Sequence, residues 1–284
     1  WAAGNLGKTK NQGVELELKH NNRIGKDFYY NVGFTFSHAR NEILDMDEPD
    51  AKTGYRKQEG HPINQYFGLI CDGFVTQADL DNPNFPKSTY GNVQVGDLKY
   101  RDMNGDGFID DRDETFIGYS DIPENTYALT LGAQWKGIGF SVMFQGVDHV
   151  SRFYDAEAMF AFVNGGKVKE HHLGRWNPAM SEEYNLANAT YPLLHYDSYG
   201  NHNQRQNSFF LKNGAFLRLK NIELSYSLPQ SWIKKAAMKE CRIYVNASNL
   251  VTWDHLGGLT DPESNGSNRY PIMKTVNFGV NIQF

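Results

Sequence analysis

Val276-Asn277-Phe278-Gly279-Val280-Asn281-Ile282-Gln283-Phe284 places an apolar residue at every second position and stops on a phenylalanine. A β-strand alternates its side chains between two faces. One face here is Val276, Phe278, Val280, Ile282 and Phe284; the other is Asn277, Gly279, Asn281 and Gln283. Soluble sandwiches also alternate in this way, so the pattern gains its force from repetition elsewhere. Val14, Leu16 and Leu18 alternate with Glu15, Glu17 and Lys19, and after a polar turn Phe28, Tyr30, Val32, Phe34 and Phe36 alternate with Tyr29, Asn31, Gly33, Thr35 and Ser37. Such a repeated pattern, with aromatics near the strand ends, fits an antiparallel transmembrane β-barrel wall with one face to lipid and one to a polar lumen.

The clearest hairpin follows. Tyr127, Leu129, Leu131, Ala133 and Trp135 share one phase, Lys136-Gly137 makes the turn, and Phe140, Val142 and Phe144 continue on the next strand. Glycine permits the positive φ that such turns need. Leu217 and Leu219 stand in one phase, while Ile222, Leu224 and Tyr226 stand in the other. The slip at Lys220-Asn221 is what a β-bulge produces. Pro229 ends that strand, residues 231–238 can form a helical turn or two, and Ile243, Val245 and Ala247 mark a further strand. Residues 63–76 and 94–101 are weaker strand candidates, and 41–62 reads as a loop. Residues 151–213 form a long excursion with a short helix near 156–163.

The excursions alternate in length. Turns 22–26, 136–138 and 229–239 are short, whereas 151–213 and 254–271 are long. Outer-membrane barrels have short periplasmic turns and long extracellular loops, so Phe284 belongs at the periplasmic rim. Phe28, Tyr30, Trp135, Phe140, Tyr226 and Trp232 then form an aromatic girdle there. Glu15, Glu17, Thr130, Gln134, Tyr244 and Asn246 line the lumen.

Composition agrees. The 284 residues carry a formal net charge of -5 and 14% aromatics; the mean hydropathy is -0.59. No run of about eighteen apolar residues predicts a helical span, and the electrostatic footprint of a nucleic-acid binder is missing. Cys71 and Cys241 are too few for a disulfide framework and read as small strand residues. The sequence as it stands begins at Trp1, no signal peptide is visible in it, and it shows roughly seven to nine strands. Open edges cannot stand in lipid, so the expectation is that residues 1–284 are the C-terminal portion of a larger barrel. A complete small barrel is an alternative, and so is a non-transporting surface glycan-binding or structural β domain.

Three blocks resemble a known family. Gly96-Asp97-Leu98-Lys99-Tyr100-Arg101-Asp102-Met103-Asn104-Gly105-Asp106-Gly107-Phe108-Ile109-Asp110 resembles a block of SusC/RagA-type TonB-dependent transporters. Phe216-Leu217-Arg218-Leu219-Lys220-Asn221-Ile222 with Tyr226 and Leu228-Pro229 is similar to a second. Asn246-Ala247-Ser248-Asn249-Leu250, trailed by Gly257-Gly258 and Asp261-Pro262-Glu263, is similar to a third. The resemblance implies the last strands of an outer-membrane barrel of about 22 strands, with the N-terminal plug and energy-coupling box absent from this sequence. It implies import of oligosaccharides or peptides, driven by TonB and capped by a SusD-like surface lipoprotein.

Asp102-x-Asn104-x-Asp106-Gly107-Phe108-Ile109-Asp110-x-x-Asp113 spaces oxygen donors as a calcium loop does. The predicted ligands of one structural calcium are the side chains of Asp102, Asn104, Asp106, Asp110 and Asp113 with the Phe108 carbonyl. Gly107 supplies the sharp turn. The shorter Asp113 replaces the usual glutamate, and no helix pattern flanks the loop. In the long excursion, Phe153, Tyr154, His171, His172, Trp176, Tyr191, Tyr196 and Tyr199 are candidates to contact substrate or partner, because aromatic faces stack on sugar rings. Packing within the loop is the alternative. His171-His172 makes a poor metal site, since adjacent side chains diverge and no third ligand is evident. No catalytic motif is recognisable, so no enzyme activity is expected.

Overall fold

In the computed structural model, residues 7–48, 54–154, 156–196, 201–264, 270 and 272–284 are described. Seven long strands dominate: β1 (Lys8–Ile24), β2 (Phe28–Asp45), β3 (Asn125–Trp135), β4 (Ile138–Asp148), β5 (Phe216–Ser227), β6 (Glu240–Asp254) and β7 (Thr275–Gln283). They form one sheet in chain order, each antiparallel to its neighbours. The sheet is open: among the described residues β1 and β7 each pair along one edge only. The alternative of a complete small barrel is therefore corrected.

The register joins the apolar positions into one continuous face. Leu18 lies opposite Phe34, Phe34 opposite Leu129, Leu129 opposite Phe144 and Phe144 opposite Leu219. Leu219 pairs with Val251, and further along β6 Val245 pairs with Phe278. This face is uncovered; Phe278 is 82% exposed and Leu18 56%. The other face carries Glu17, Thr35, Thr130, Ser141, Glu223, Asn246 and Asn277 in matching register. Glycines there make room for neighbouring side chains. A β-carbon at Gly279 would run into the phenol ring of Tyr244 on the adjacent strand.

The phase slip in β5 is a bulge. Met143 pairs with Asn221 but Phe144 pairs with Leu219, so Lys220 is the extra residue. Both Leu217-Leu219 and Ile222-Leu224-Tyr226 thereby reach the apolar face. On the other side β6 skips from Ser248 to Val251, with Asn249 at φ 56°. The Lys136-Gly137 turn has φ 46° and 88°, which suits the right-handed twist of a hairpin.

Two sequence expectations are corrected. Strand β2 runs on to Asp45 through the segment read as a loop, pairing there with Lys8–Asn11 of β1. The alternation fades there because β3 has already ended, and the β1–β2 ribbon continues alone past the His38–Asn125 pair. Residues 63–76 and 94–101 do not join the wall. Their strands Gln65–Gly68, Cys71–Phe74 and Leu98–Tyr100 lie in separate two-stranded sheets.

All short turns, 25–27, 136–137 and 228–239, fall at one end of the sheet. The long connections 46–124, 149–215 and 255–274 fall at the other. There they fold into a body with its own core, drawn from all three: Leu69, Leu98, Tyr100 and Ile109; Tyr154, Met159, Phe160, Tyr191 and Phe210; and Leu256. Few of these residues show a periodic pattern, because their partners are distant in sequence. Cys71 and Cys241 are both free thiols.

Candidate functional site

The acidic loop 102–113 is pinned to the core of this body by Ile109 and by a short parallel pairing of Phe108–Ile109 with Lys87–Ser88. Its side chains shape its own backbone. The Asp102 carboxylate accepts from the amides of Gly105 at 2.6 Å and Gly107 at 2.8 Å. Asn104 accepts from Asp106 N, and Asp106 from Phe108 N. Buried Asp113 accepts from the amides of Met103 and Asp110, each at 2.9 Å. Gly105 and Gly107 have φ of 73° and 81°, where a side chain would be strained.

Arg112 answers two of the carboxylates. Its Nη2 lies 2.7 Å from Asp106 and 2.7 Å from Asp110. This guanidinium is the main cause holding Asp110 below the usual carboxylate range. Asp111 on the loop's far side takes Arg205 and the Tyr90 hydroxyl, each at 2.7 Å, with the Arg205 guanidinium 4.2 Å over the Tyr90 ring. The predicted donors, Asp102, Asn104, Asp106, Asp110, Asp113 and the Phe108 carbonyl, are all oxygen, the class calcium takes. Among the described residues, however, no three His, Cys, Asp or Glu side chains gather as a metal site would require. An ion would have to displace Arg112.

The aromatic candidates separate by burial. Tyr154 and Trp176 are 4% and 3% exposed, so they pack the body rather than present a contact surface. Trp176 meets the edge of Phe74 at 5.5 Å. Tyr191 and Phe153 also pack in or against the core. His171 and His172 converge, contrary to the expectation for adjacent residues, because they lie in a tight turn of 3-10 helix, Glu170–Gly174. Both Nε2 atoms reach the Met159 carbonyl, at 3.1 and 3.0 Å, and the Tyr191 hydroxyl donates to the same oxygen. His172 Nδ1 accepts from Lys169 N, so its Nε2 bears the proton. Burial lowers the His172 pKa to about 4. Among the described residues, Tyr196 alone of the strongest candidates is fully presented, 88% exposed and edge-to-face with Phe162 at 5.3 Å. Tyr199 lies outside the described residues.

One arrangement escaped the sequence reading. Arg218, on the polar face of β5, is wholly buried and ion-paired to Asp261 at 2.7 Å and Glu263 at 2.6 Å. Lys220 adds a second pair to Glu263 at 2.9 Å. Two blocks quoted separately from the sequence, 216–222 and 261–263, thus form one ionic anchor between wall and body. Their opposite charges were the available signal; their separation hid it. Along the wall, Glu15, Glu17, Thr130, Gln134, Tyr244 and Asn246 share the polar face as expected, and Phe28, Trp135 and Tyr226 stand at the short-turn end.

No protein-family model matches the chain. TonB-dependent receptor P3 of Formosa agariphila is 25% identical over 313 residues, covering 99% of this chain and 29% of that protein. TonB-dependent receptor SusC of Bacteroides thetaiotaomicron is 25% identical over 293 residues, with 99% and 27% covered. The chain therefore spans less than a third of the curated relatives it matches. The solved RagAB peptide transporter superposes with a TM-score of 0.69 at 24% identity, over 99% of this chain and 30% of that one. The RagAB peptide importer in its closed-closed state gives 0.69 at 25%. These relatives carry the names of receptors and transporters, not enzymes. Over nearly its whole length the chain is similar to SusC/RagA-type TonB-dependent receptors, and the resemblance read from its three sequence blocks is borne out.

Proposed function

We propose that this chain is the C-terminal part of an outer-membrane importer of the TonB-dependent class, forming one side of a barrel of about 22 strands. The observation that carries the reading is the continuous, uncovered apolar face backed by a polar one across seven strands. In water so large an apolar surface is a liability; against lipid it is the stable arrangement. Aromatics bound it at both ends, with Trp135 and Tyr226 at the short-turn rim and Tyr127 and Trp253 towards the long loops. Trp135 and Tyr127 are eight residues apart on β3. At a tilt near 40° that corresponds to roughly 20 Å of height, close to the apolar band of a barrel. The exposed face disfavours a soluble surface domain.

The unpaired edges of β1 and β7 would be covered by strands from the rest of the receptor, and a plug would rest on the polar face. The body built from the long connections would face outward, towards a SusD-like lipoprotein and the substrate, an oligosaccharide or a peptide. Tyr196 with Phe162 and the half-buried His171 are the contact candidates there, while Tyr154 and Trp176 support them from beneath. The loop 102–113 would hold one structural calcium after Arg112 swings away, in keeping with its oxygen donors.

Uptake of labelled oligosaccharides and peptides by cells with and without the intact receptor tests the reading, together with fractionation of their membranes. Uptake should need the receptor and the proton-motive force, and the receptor should leave the outer membrane only with detergent. Extraction without detergent, or uptake of every substrate unchanged by its loss, overturns the proposal.

A further inference from the structure

The polar face holds a hollow at its short-turn end that transport does not explain. Its volume is about 180 Å³. Gln134 and Ser225 lie on its floor, where Gly139 has no side chain to fill the space; a β-carbon there would meet Ser225 Oγ at 2.6 Å. Arg23, Lys26, Lys136 and Arg242 surround it, against a single lining acid, Asp27. Arg242 is answered by Glu223 on the neighbouring strand. Arg23, Lys26 and Lys136 are exposed and have no carboxylate partner among the described residues, although the Lys136 ammonium also stands 5.5 Å over the Trp135 ring.

Register explains why these groups converge. Arg23 pairs with Tyr29, Tyr29 with Gln134, Gln134 with Gly139 and Gly139 with Ser225, one row across five strands on the polar face. The next row towards the rim holds the cationic turn residues and Arg242. Three cations without a carboxylate partner among the described residues, set around amide and hydroxyl donors, suit an oxyanion. A phospholipid headgroup would approach from the apolar face, which is the other side of the sheet.

We propose that this hollow seats the carboxylate of an acidic peptide segment lying against the polar face. Charge complementarity carries the assignment: the cations supply the field, and the Gln134 amide and Ser225 hydroxyl supply directed hydrogen bonds. The proposal needs the two-faced sheet only and stands apart from any substrate.

A carbodiimide that joins an amine to a carboxylate already in contact tests it. The purified intact receptor is treated with and without added acetylated triglutamate, and linked peptides are mapped by mass spectrometry. Lys26 or Lys136 should become joined to an Asp or Glu other than Asp27 and Glu223, from the receptor itself or from triglutamate. High salt should diminish the link, since the cations are exposed. Lys26→Gln with Lys136→Gln should abolish it while leaving the thermal unfolding of the receptor unchanged. Links to Asp27 or Glu223 alone, or no link in either sample, overturn the proposal. Inorganic phosphate that raises the unfolding temperature through Lys26 and Lys136 while no carboxylate is captured also overturns it, in favour of a free-ion seat.

Discussion

The five-membered ring of Trp176 sits on the α-carbon of Gly96: a β-carbon built there would fall inside the van der Waals envelope of the ring's Cγ and Cδ1. Gly96 also has φ 92°, and its carbonyl accepts from Leu193 N at 2.8 Å. One glycine therefore fixes the approach of two distant segments of the outer body. Gly96→Ala must find room for a methyl against a buried indole at a strained φ, costing about 2–4 kcal/mol. Hydrogen exchange should show protection lost in 94–98 and 174–194 while the wall strands keep theirs.

The two faces of β7 should respond differently to charge. Phe278→Arg puts a cation on the apolar face, at about 2–4 kcal/mol if it lies near the bilayer midplane. Asn277→Arg, on the polar face beside Asn246, should be mild. Folding yield of the intact receptor in lipid vesicles measures both, and equal damage would contradict the two-faced wall.

Arg112 competes with any cation for Asp106 and Asp110. Calcium titrated into the receptor should give saturable heat that Asp106→Ala removes. Arg112→Gln should tighten binding about ten-fold, because no guanidinium then has to leave two carboxylates. A calorimetric blank with both the unaltered receptor and Arg112→Gln would remove calcium from the loop.

His172 is buried and neutral in the folded body, with its pKa lowered to about 4 from an ordinary 6.5. Between these values the unfolded chain binds the extra proton, so the body should be fully stable above pH 6.5 and lose stability as pH falls towards 4. His172→Gln should flatten that part of the profile. Thermal unfolding followed through Trp176 fluorescence from pH 4 to 7 reads the slope; an unchanged slope in the variant would assign it to other groups.

The wall was legible because a strand with one face in lipid writes its period into the sequence. Phe28 to Phe36, Tyr127 to Trp135 and Val276 to Phe284 need no partner to be recognised, and the Lys220 slip announced its own bulge. The ends of β1 and β2 were not legible, since Lys8–Gly13 and Ala39–Asp45 pair beyond the apolar band with no alternation to mark them, joined by backbone bonds and the Lys8–Asp45 ion pair. The outer body was hidden for another reason. Leu69, Tyr100, Trp176, Phe210 and Leu256 come together across long separations with no repeat to betray them. The acidic loop was visible as a motif, but Arg112's hold on it depends on how the turns close.

The extra residue at Lys220 gives β5 a parity. Above it, odd-numbered positions look towards the apolar side; below it, even-numbered positions do. Losing that one residue would act on the strand as a frameshift acts on a gene, turning Glu223 and Ser225 outward and Ile222, Leu224 and Tyr226 inward, with every residue's identity unchanged. Evolution can trade side chains along this strand one at a time, but it can change the strand's length only in pairs.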